Sequence, residues 1–260
     1  MQICFLGSGS SGNCAVVRAG KFSVLVDAGL SLPELERRLK AIGGSLEELR
    51  AILVTHEHSD HVGHALRISK KLEIPIYCTP GTSVAAGFPG PLFADLRYVG
   101  NGRRATLLGG DLEVRVTATP HDGVESVCYV FQNGTGAKAA IATDLGHLSG
   151  PVLDALRGCE VIGLEFNHDV DMLRTGPYPL YLKRRILSAV GHLSNEEAAA
   201  GLARLVGPRT RAVVVLHVSR HNNTAVLARR TAAAALARIG AGGVALELAP
   251  HDHPTRVLDA

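Results

Sequence analysis

The chain has 260 residues, of which 46% are hydrophobic and 20% charged, with a formal net charge of +3 and twelve histidines against no tryptophan. This composition is typical of a folded globular protein and excludes a disordered or fibrous chain. A charge of +3 does not by itself indicate nucleic-acid binding, because that depends on a local basic cluster. Seven of the histidines lie between residues 56 and 168.

Short apolar runs alternate with helical patterns along the chain. Runs typical of strands cover residues 3–6, 14–17, 23–26, 51–54, 75–78, 112–119, 126–132, 139–143, 160–164 and 212–216. Helical periodicity covers 33–42, 62–72, 152–156, 180–189, 195–206 and 224–239. Tight turns join some strands and helices join others, so we predict an α/β fold of mixed sheets flanked by helices, in a single domain over residues 1–260.

The five cysteines have no CxxC spacing and lie in or beside apolar runs, which is typical of free thiols in a reducing compartment. The chain begins with a strand-like segment and no charged leader. No apolar run approaches the roughly 18 residues that cross a bilayer. We therefore expect a cytoplasmic protein with no membrane partner.

Residues 7–12 match the GxGxxG spacing of dinucleotide-binding turns. Such a site needs a helix directly after the glycines, whereas a second predicted strand follows them here. We interpret the segment as a turn between strands.

The strongest chemical signal is the segment HEHSDH at 56–61, which follows a predicted strand and precedes a helix. In an extended segment, residues two apart share a side, so His56 and His58 are able to bind one ion together. Asp60 and His61 lie where the chain turns into the helix, so they are able to face a second ion position next to the first. A polar loop without a ligand would explain so many imidazoles poorly, so we predict a metal site here.

Further ligands of a two-metal site are expected at the ends of other strands. Three side chains able to bind a divalent ion occur there, namely His121, Asp144 and His217. A lone histidine at a strand end is more often structural. Three such groups beside the segment 56–61 favour a dinuclear site.

Together these residues resemble the metal motifs of the metallo-β-lactamase-fold hydrolases, and the resemblance extends from residue 7 to about residue 223. It implies a four-layer αββα sandwich and two divalent metal ions with a bridging hydroxide. It also implies the division of the ligands: His56, His58 and His121 on one metal, Asp60, His61 and His217 on the other, and Asp144 between them. Such donors permit zinc, manganese or iron, and the resemblance favours manganese for activity.

Motifs between residues 165 and 223 resemble those of the YycJ/WalJ subfamily, bacterial members described as DNA exonucleases that act from 5′ ends. The resemblance implies phosphodiester hydrolysis with DNA as the substrate. Two features depart from related patterns. Glu165 and His192 are 27 residues apart, longer than in the related tRNA 3′-end nucleases, and His221 stands where an acidic residue is typical, so no role is assigned to it.

The resemblance also implies roles beyond metal binding. Asp60 would orient the nucleophile, and His192, held by Glu165, would stabilise the phosphate or protonate the leaving oxygen. Asp27 matches an aspartate that orients a ligand histidine, with a turn residue as the alternative interpretation. The predicted substrate contacts are His168, Arg174, Lys183, Arg184 and Arg220. A solvated helix face explains the basic residues equally well, and a structural hydrogen bond would explain His168.

Two other functions stay open on the sequence. A small-molecule phosphodiesterase or thioester hydrolase would use the same metals, and an inactive binding module should have lost ligands that are all present here. Only 72 residues separate Asp144 from His217, too few for the domain that β-CASP nucleases insert there, so DNA is favoured over RNA. We predict no obligate protein partner and leave the oligomeric state open.

Overall fold

The computed structural model describes residues 1–90 and 95–260, and over these residues two seven-stranded sheets form. The strands of the first part of the chain are β1 (Gln2–Gly7), β2 (Cys14–Ala19), β3 (Phe22–Val26), β4 (Leu49–Leu53), β5 (Ile76–Cys78) and β6 (Leu96–Tyr98). The later strands are β7 (Arg104–Leu107), β8 (Leu112–Ala118), β9 (Val127–Asn133), β10 (Lys138–Ala142), β11 (Val161–Glu165), β12 (Ala212–Leu216), β13 (Ala245–Leu248) and β14 (Leu258–Asp259).

Each sheet is mixed. The first has the order β14-β1-β2-β3-β4-β5-β6, antiparallel as far as β3 and parallel from β3 to β6. The second has the order β13-β12-β11-β10-β9-β8-β7, with antiparallel pairs from β7 to β10 and parallel pairs from β10 to β13. Because β10, β11 and β12 run in the same direction, their carboxyl ends meet at one edge, where α/β proteins commonly place their functional loops.

The helices are α1 (Leu32–Ala41), α2 (Ser59–Val62), α3 (Ala65–Leu72), α4 (Pro80–Ala85), α5 (Gly150–Leu156), α6 (Val170–Thr175), α7 (Leu180–Ile186), α8 (Asn195–Leu205) and α9 (Ala225–Arg238). Local sequence explains several of their starts. A capping box formed by Ser194 and Glu197 begins α8, and the side chain of Thr224 caps α9.

Three buried clusters define four layers. The cluster between the sheets contains side chains from both, including Phe5, Leu53, Tyr129 and Leu216. A second cluster joins the outer face of the first sheet to α1 and α3, and a third joins the outer face of the second sheet to α5, α8 and α9. The predicted sandwich of two mixed sheets flanked by helices is therefore confirmed. The assignment of residues 1–260 to a single domain stays a prediction.

Two predicted helices were wrong in extent. The pattern at 62–72 breaks between α2 and α3, where the His64 amide donates to the carbonyl of Ala28 and not to its own helix. The helix predicted at 180–189 ends at Ile186, whose carbonyl accepts from the amide of His192 in the following loop. The second interruption shapes the loop that carries His192, which is discussed below.

The five cysteines are buried free thiols, as predicted. Within residues 1–90 and 95–260, no helix combines the length and the apolar character needed to cross a membrane.

Candidate metal centre

The seven side chains predicted as ligands lie together at one edge of the sandwich. His56, His58, Asp60 and His61 occupy the segment between β4 and α3, and the other three follow β8, β10 and β12. Their donor atoms form overlapping groups within 4.8 Å of one another.

Three histidines form the first group. His56 Nε2 lies 3.0 Å from His58 Nδ1, which in turn lies 3.3 Å from His121 Nε2. Ligand nitrogens around a tetrahedral ion with bonds of about 2.0–2.1 Å stand roughly 3.3 Å apart. The three nitrogens are therefore spaced to hold one metal ion.

The second group consists of Asp60, His61 and His217. Asp60 Oδ2 lies 3.4 Å from His61 Nε2 and 3.6 Å from His217 Nε2. His61 and His217 are almost fully buried, with 0% and 3% of their side chains exposed. This group offers one carboxylate oxygen and two imidazole nitrogens, a donor set suited to a divalent cation.

Asp144 lies between the two groups. Its Oδ1 is 3.7 Å from His121 Nε2 in the first group, and its Oδ2 is 3.1 Å from His61 Nε2 in the second. Asp144 Oδ2 and His217 Nε2 are buried, and neither has a hydrogen-bond partner within the described residues. Buried polar atoms normally have partners, so these two fit atoms that coordinate a cation.

The histidines share a second contact that fixes their orientation. In four of them Nδ1 bonds an anchoring oxygen while Nε2 faces the centre, and these pairs are His56 with Thr55 Oγ1 (3.0 Å), His61 with Asp27 Oδ2 (2.7 Å), His121 with the Gly191 carbonyl (3.1 Å) and His217 with Glu165 Oε1 (3.2 Å). An Nδ1–H that donates to oxygen places the Nε2 lone pair toward the metal position.

The backbone at three strand ends is left-handed. Asp27, Asp144 and His217 have φ values of 61°, 59° and 53°, each at or just after the end of β3, β10 or β12. This conformation is uncommon outside glycine, and strained backbone of this kind costs roughly 1–3 kcal/mol and clusters at functional sites. In this protein the left-handed conformation follows the end of each strand, at the edge where these polar side chains meet.

The carboxylates of the centre stay ionised. Burial would raise the pKa of Glu165, but the imidazoles of His192 and His217 hold it at about 2. Burial would lower the pKa of His217, but Asp144, Asp60 and Glu165 raise it to about 10. The centre thus has buried negative charge that favours a positive partner, which a divalent cation supplies.

Glu165 and His192 form a pair beside the metal groups. His192 Nδ1 donates to Glu165 Oε1 at 2.7 Å, and Glu165 Oε2 accepts from the Leu145 amide at 2.8 Å. Burial opposes protonation of His192, but the Glu165 carboxylate raises its pKa overall. The pair forms despite the long sequence spacing because Glu165 ends β11 and His192 lies in the loop before α8, both at this edge.

A cavity of about 160 Å³ lies next to His192. Its wall includes Asp122, Asn167, Tyr178, Arg185, His192 and Ser219. Three of the predicted basic contacts, Arg174, Lys183 and Arg184, are placed differently from Arg185. Lys183 Nζ donates to the carbonyl of Arg174 at 2.7 Å, and neither these two residues nor Arg184 forms the wall of the cavity.

Arg220 and His168 are brought near the site in different ways. Arg220 is exposed and donates to Ser11 Oγ at 3.3 Å, next to the cavity residues Ser10 and Ser219. His168 is only 1% exposed, and neither ring nitrogen has a partner among the residues described. Burial also lowers the pKa of His168.

The glycine-rich turn at 7–12 belongs to the site, although not as a dinucleotide motif. Ser8 Oγ accepts from the His217 amide at 2.8 Å, and Asn13 Nδ2 donates to Asp60 Oδ2 at 3.0 Å. Sequence reasoning missed both residues, because a hydrogen bond between distant segments leaves no mark in local spacing.

Gly29→Ala is expected to lower the free energy of unfolding by about 1–3 kcal/mol, the usual cost of overpacking. A Cβ at Gly29 would overlap the Asp60 carbonyl oxygen and stand 2.6 Å from the Asn13 amide nitrogen. Chemical denaturation measures the change. Gly207→Ala is the matched control, because a Cβ there meets nothing within 4 Å, and equal stability of the two variants would contradict the prediction.

Comparison with known proteins supports the fold. Residues 23–218 match the family model described as a β-lactamase superfamily domain, and the chain belongs to this superfamily. The metallo-β-lactamase fold protein YhfI from Bacillus subtilis has a TM-score of 0.73 at 14% identity, covering 98% of this chain and 99% of that one.

Within the superfamily, the chain is similar to bacterial proteins named as exodeoxyribonucleases. It is 36% identical to Exodeoxyribonuclease YycJ of Bacillus anthracis over 99% of this chain and 98% of the relative. It is 34% identical to Exodeoxyribonuclease WalJ of Streptococcus pneumoniae over 91% of this chain and 88% of the relative. The resemblance drawn from the motifs is confirmed, and so is the prediction of a hydrolase.

Proposed function

We propose that this protein is a metal-dependent DNA exonuclease that hydrolyses phosphodiester bonds from 5′ ends. The observation that carries the proposal is the pair of histidine and aspartate groups joined by Asp144, at the edge where the cavity opens. The relatives named as exodeoxyribonucleases, which align with nearly the whole chain, support DNA as the substrate.

We assign the metal ligands from these groups. His56, His58 and His121 would hold one ion, and Asp60, His61 and His217 would hold the other, with Asp144 between the two groups. The unpartnered Asp144 Oδ2 and His217 Nε2 support this assignment. When bound, the two cations supply a water-derived nucleophile at neutral pH and stabilise negative charge on the phosphoryl group. The donors suit Mn²⁺ or Zn²⁺, and we propose Mn²⁺ as the activating ion.

The chain's own residues provide orientation and proton transfer. Asp60, fixed by the hydrogen bond from Asn13, orients the nucleophile. His192 protonates the leaving oxygen or stabilises the phosphate, because Nδ1 is committed to Glu165 and Nε2 is the nitrogen available to substrate. Glu165 orients both His192 and His217 and does not itself contact the substrate.

Asp27→Asn is expected to weaken metal binding by about 10- to 100-fold, the usual effect of removing a partner that orients a ligand histidine. Asp27 Oδ2 accepts from His61 Nδ1 at 2.7 Å, and Oδ1 accepts from the Thr55 amide at 2.8 Å. Asparagine tolerates the left-handed backbone at this position, so the fold should persist. Metal titration by calorimetry measures the affinity, and an unchanged value would leave Asp27 as a turn residue only.

Substrate comparison tests the proposed reaction. Linear duplex DNA, bis(p-nitrophenyl) phosphate and a thioester are each incubated with the protein in Mn²⁺ and in Zn²⁺. We expect DNA to be degraded and the thioester to stay intact. Thioester hydrolysis without DNA degradation would support the small-molecule alternative and reject the nuclease.

Two further proposals concern the location of the protein and its partners. The buried free thiols support a reducing, cytoplasmic location. No obligate protein partner is proposed.

A further inference from the structure

Asp122 and Arg185 form an ion pair between the metal groups and the cavity. The Arg185 Nε–H donates to Asp122 Oδ2. The other oxygen of the same carboxylate, Oδ1, lies 3.3 Å from His121 Nε2 and 3.5 Å from His58 Nε2. Both side chains form the wall of the cavity beside His192. The Asp122 carboxylate therefore holds the Arg185 guanidinium in the cavity wall, beside the metal groups.

Arg185 is placed differently from the other basic residues of α7. Lys183 contacts the Arg174 backbone and Arg184 lies outside the cavity wall, whereas Arg185 is the basic residue of α7 that forms this wall within the described chain. Its side chain is 51% exposed, so the guanidinium is accessible to a ligand. The orientation of α7 thus selects one of three adjacent charges for the site.

The cavity suits part of a nucleotide. Its volume of about 160 Å³ is well above what one water molecule needs, so it has room for a small polar group such as a phosphate. Tyr178 in the wall packs on the ring of His221 at 5.6 Å between centroids, which offers an aromatic face beside the cavity. Asn167 and Ser219 add polar groups to the wall.

We propose that Arg185 binds a phosphate of the substrate in this cavity and that Asp122 holds the guanidinium in place until the phosphate displaces the carboxylate. The planar guanidinium forms paired hydrogen bonds to phosphate as readily as to carboxylate, so the exchange keeps its donors satisfied. Asp122 therefore orients Arg185 and also competes with the substrate phosphate for the guanidinium. This inference rests on the proposed phosphodiester substrate and names the residue that recognises it.

Calorimetric binding of thymidine 5′-monophosphate to the metal-loaded protein tests the inference without requiring turnover. Arg185→Ala is expected to raise the Kd about 10- to 100-fold, as for loss of a hydrogen bond to a charged group. Arg185→Lys should recover part of the affinity, because it keeps the charge and loses the paired geometry. Arg230→Ala, an exposed position on α9, is the matched control and should leave the Kd unchanged.

A double-mutant cycle tests the role of Asp122. Asp122→Asn is expected to tighten nucleotide binding by up to about fivefold, the scale of an exposed ion pair, and only while Arg185 is present. Metal content measured on each variant shows whether the change near His58 and His121 has disturbed the centre, and a tightened Kd at unchanged metal content supports the competition.

Two results would overturn the inference: equal Kd values for Arg185→Ala and the unsubstituted protein, or no nucleotide binding by the unsubstituted protein. Failure of the proposed function is a separate result, because it appears as intact DNA in the hydrolysis assay whatever the effect of Arg185 on nucleotide binding.

Discussion

His192→Ala is expected to lower kcat by about 10²- to 10⁴-fold, the usual contribution of a positioned acid or base, while both metal ions stay bound. The Nδ1–H of His192 is committed to Glu165 at 2.7 Å, and 18% of its side chain is exposed beside the cavity. From these two facts we propose that the ring meets substrate and is not a metal ligand. Steady-state kinetics and metal analysis of the purified variant measure the two effects.

The rival interpretation is that His192 is itself a ligand. Donor atoms of Asp144, Glu165, His192 and His217 also lie within 4.8 Å of one another, so geometry alone permits it. Metal content decides between the two. If the content of His192→Ala fell as far as that of His58→Ala, His192 would be a ligand and the proton-transfer role would be wrong.

His58→Ala is expected to remove the metal ion of the first group and to reduce turnover on the order of 10³-fold or more, since a catalytic ion contributes several kcal/mol. His58 Nδ1 faces both His56 Nε2 and His121 Nε2, so two nitrogens would remain of three. The side chain is 31% exposed, so its loss leaves the buried core intact. Metal analysis and DNA hydrolysis are the measurements.

His253→Ala is the matched control for this change. His253 belongs to a second HxH spacing near the end of the chain, but its side chain is 67% exposed and its Nδ1 pairs with Asp252. Full metal content and full activity are expected. Two retained metal ions in His58→Ala, or activity within about tenfold of the unsubstituted protein, would contradict the ligand assignment.

The interior of the fold was predictable, and its edges were not. Strands such as β11 and β12 bury every residue and read as continuous apolar runs. The four strands that the sequence patterns missed, β6, β7, β13 and β14, form the outer edges of the two sheets. Edge strands bury few side chains, and β13 has no fully buried residue, so their apolar pattern is weak.

The candidate site also has a part that the sequence predicts and a part that it does not. The seven side chains brought together were predictable because each follows a strand end or lies in one dense motif, although their role as ligands stays a proposal. The anchors were not, since Thr55 and the Gly191 carbonyl act through contacts that only the fold creates. The predicted substrate contacts did not include Arg185, because only the orientation of α7 in the fold distinguishes its position from that of its basic neighbours.

Digestion of end-labelled linear DNA tests the central claim most directly. Duplexes labelled at the 5′ or the 3′ end are incubated with Mn²⁺ and the unsubstituted protein, with His58→Ala and closed circular DNA as controls. We predict early release of the 5′ label in a short product, gradual shortening of the 3′-labelled strand, intact circles and no digestion by His58→Ala. Intact DNA ends in both Mn²⁺ and Zn²⁺, or equal digestion by His58→Ala, would contradict a DNA exonuclease that works through this metal centre.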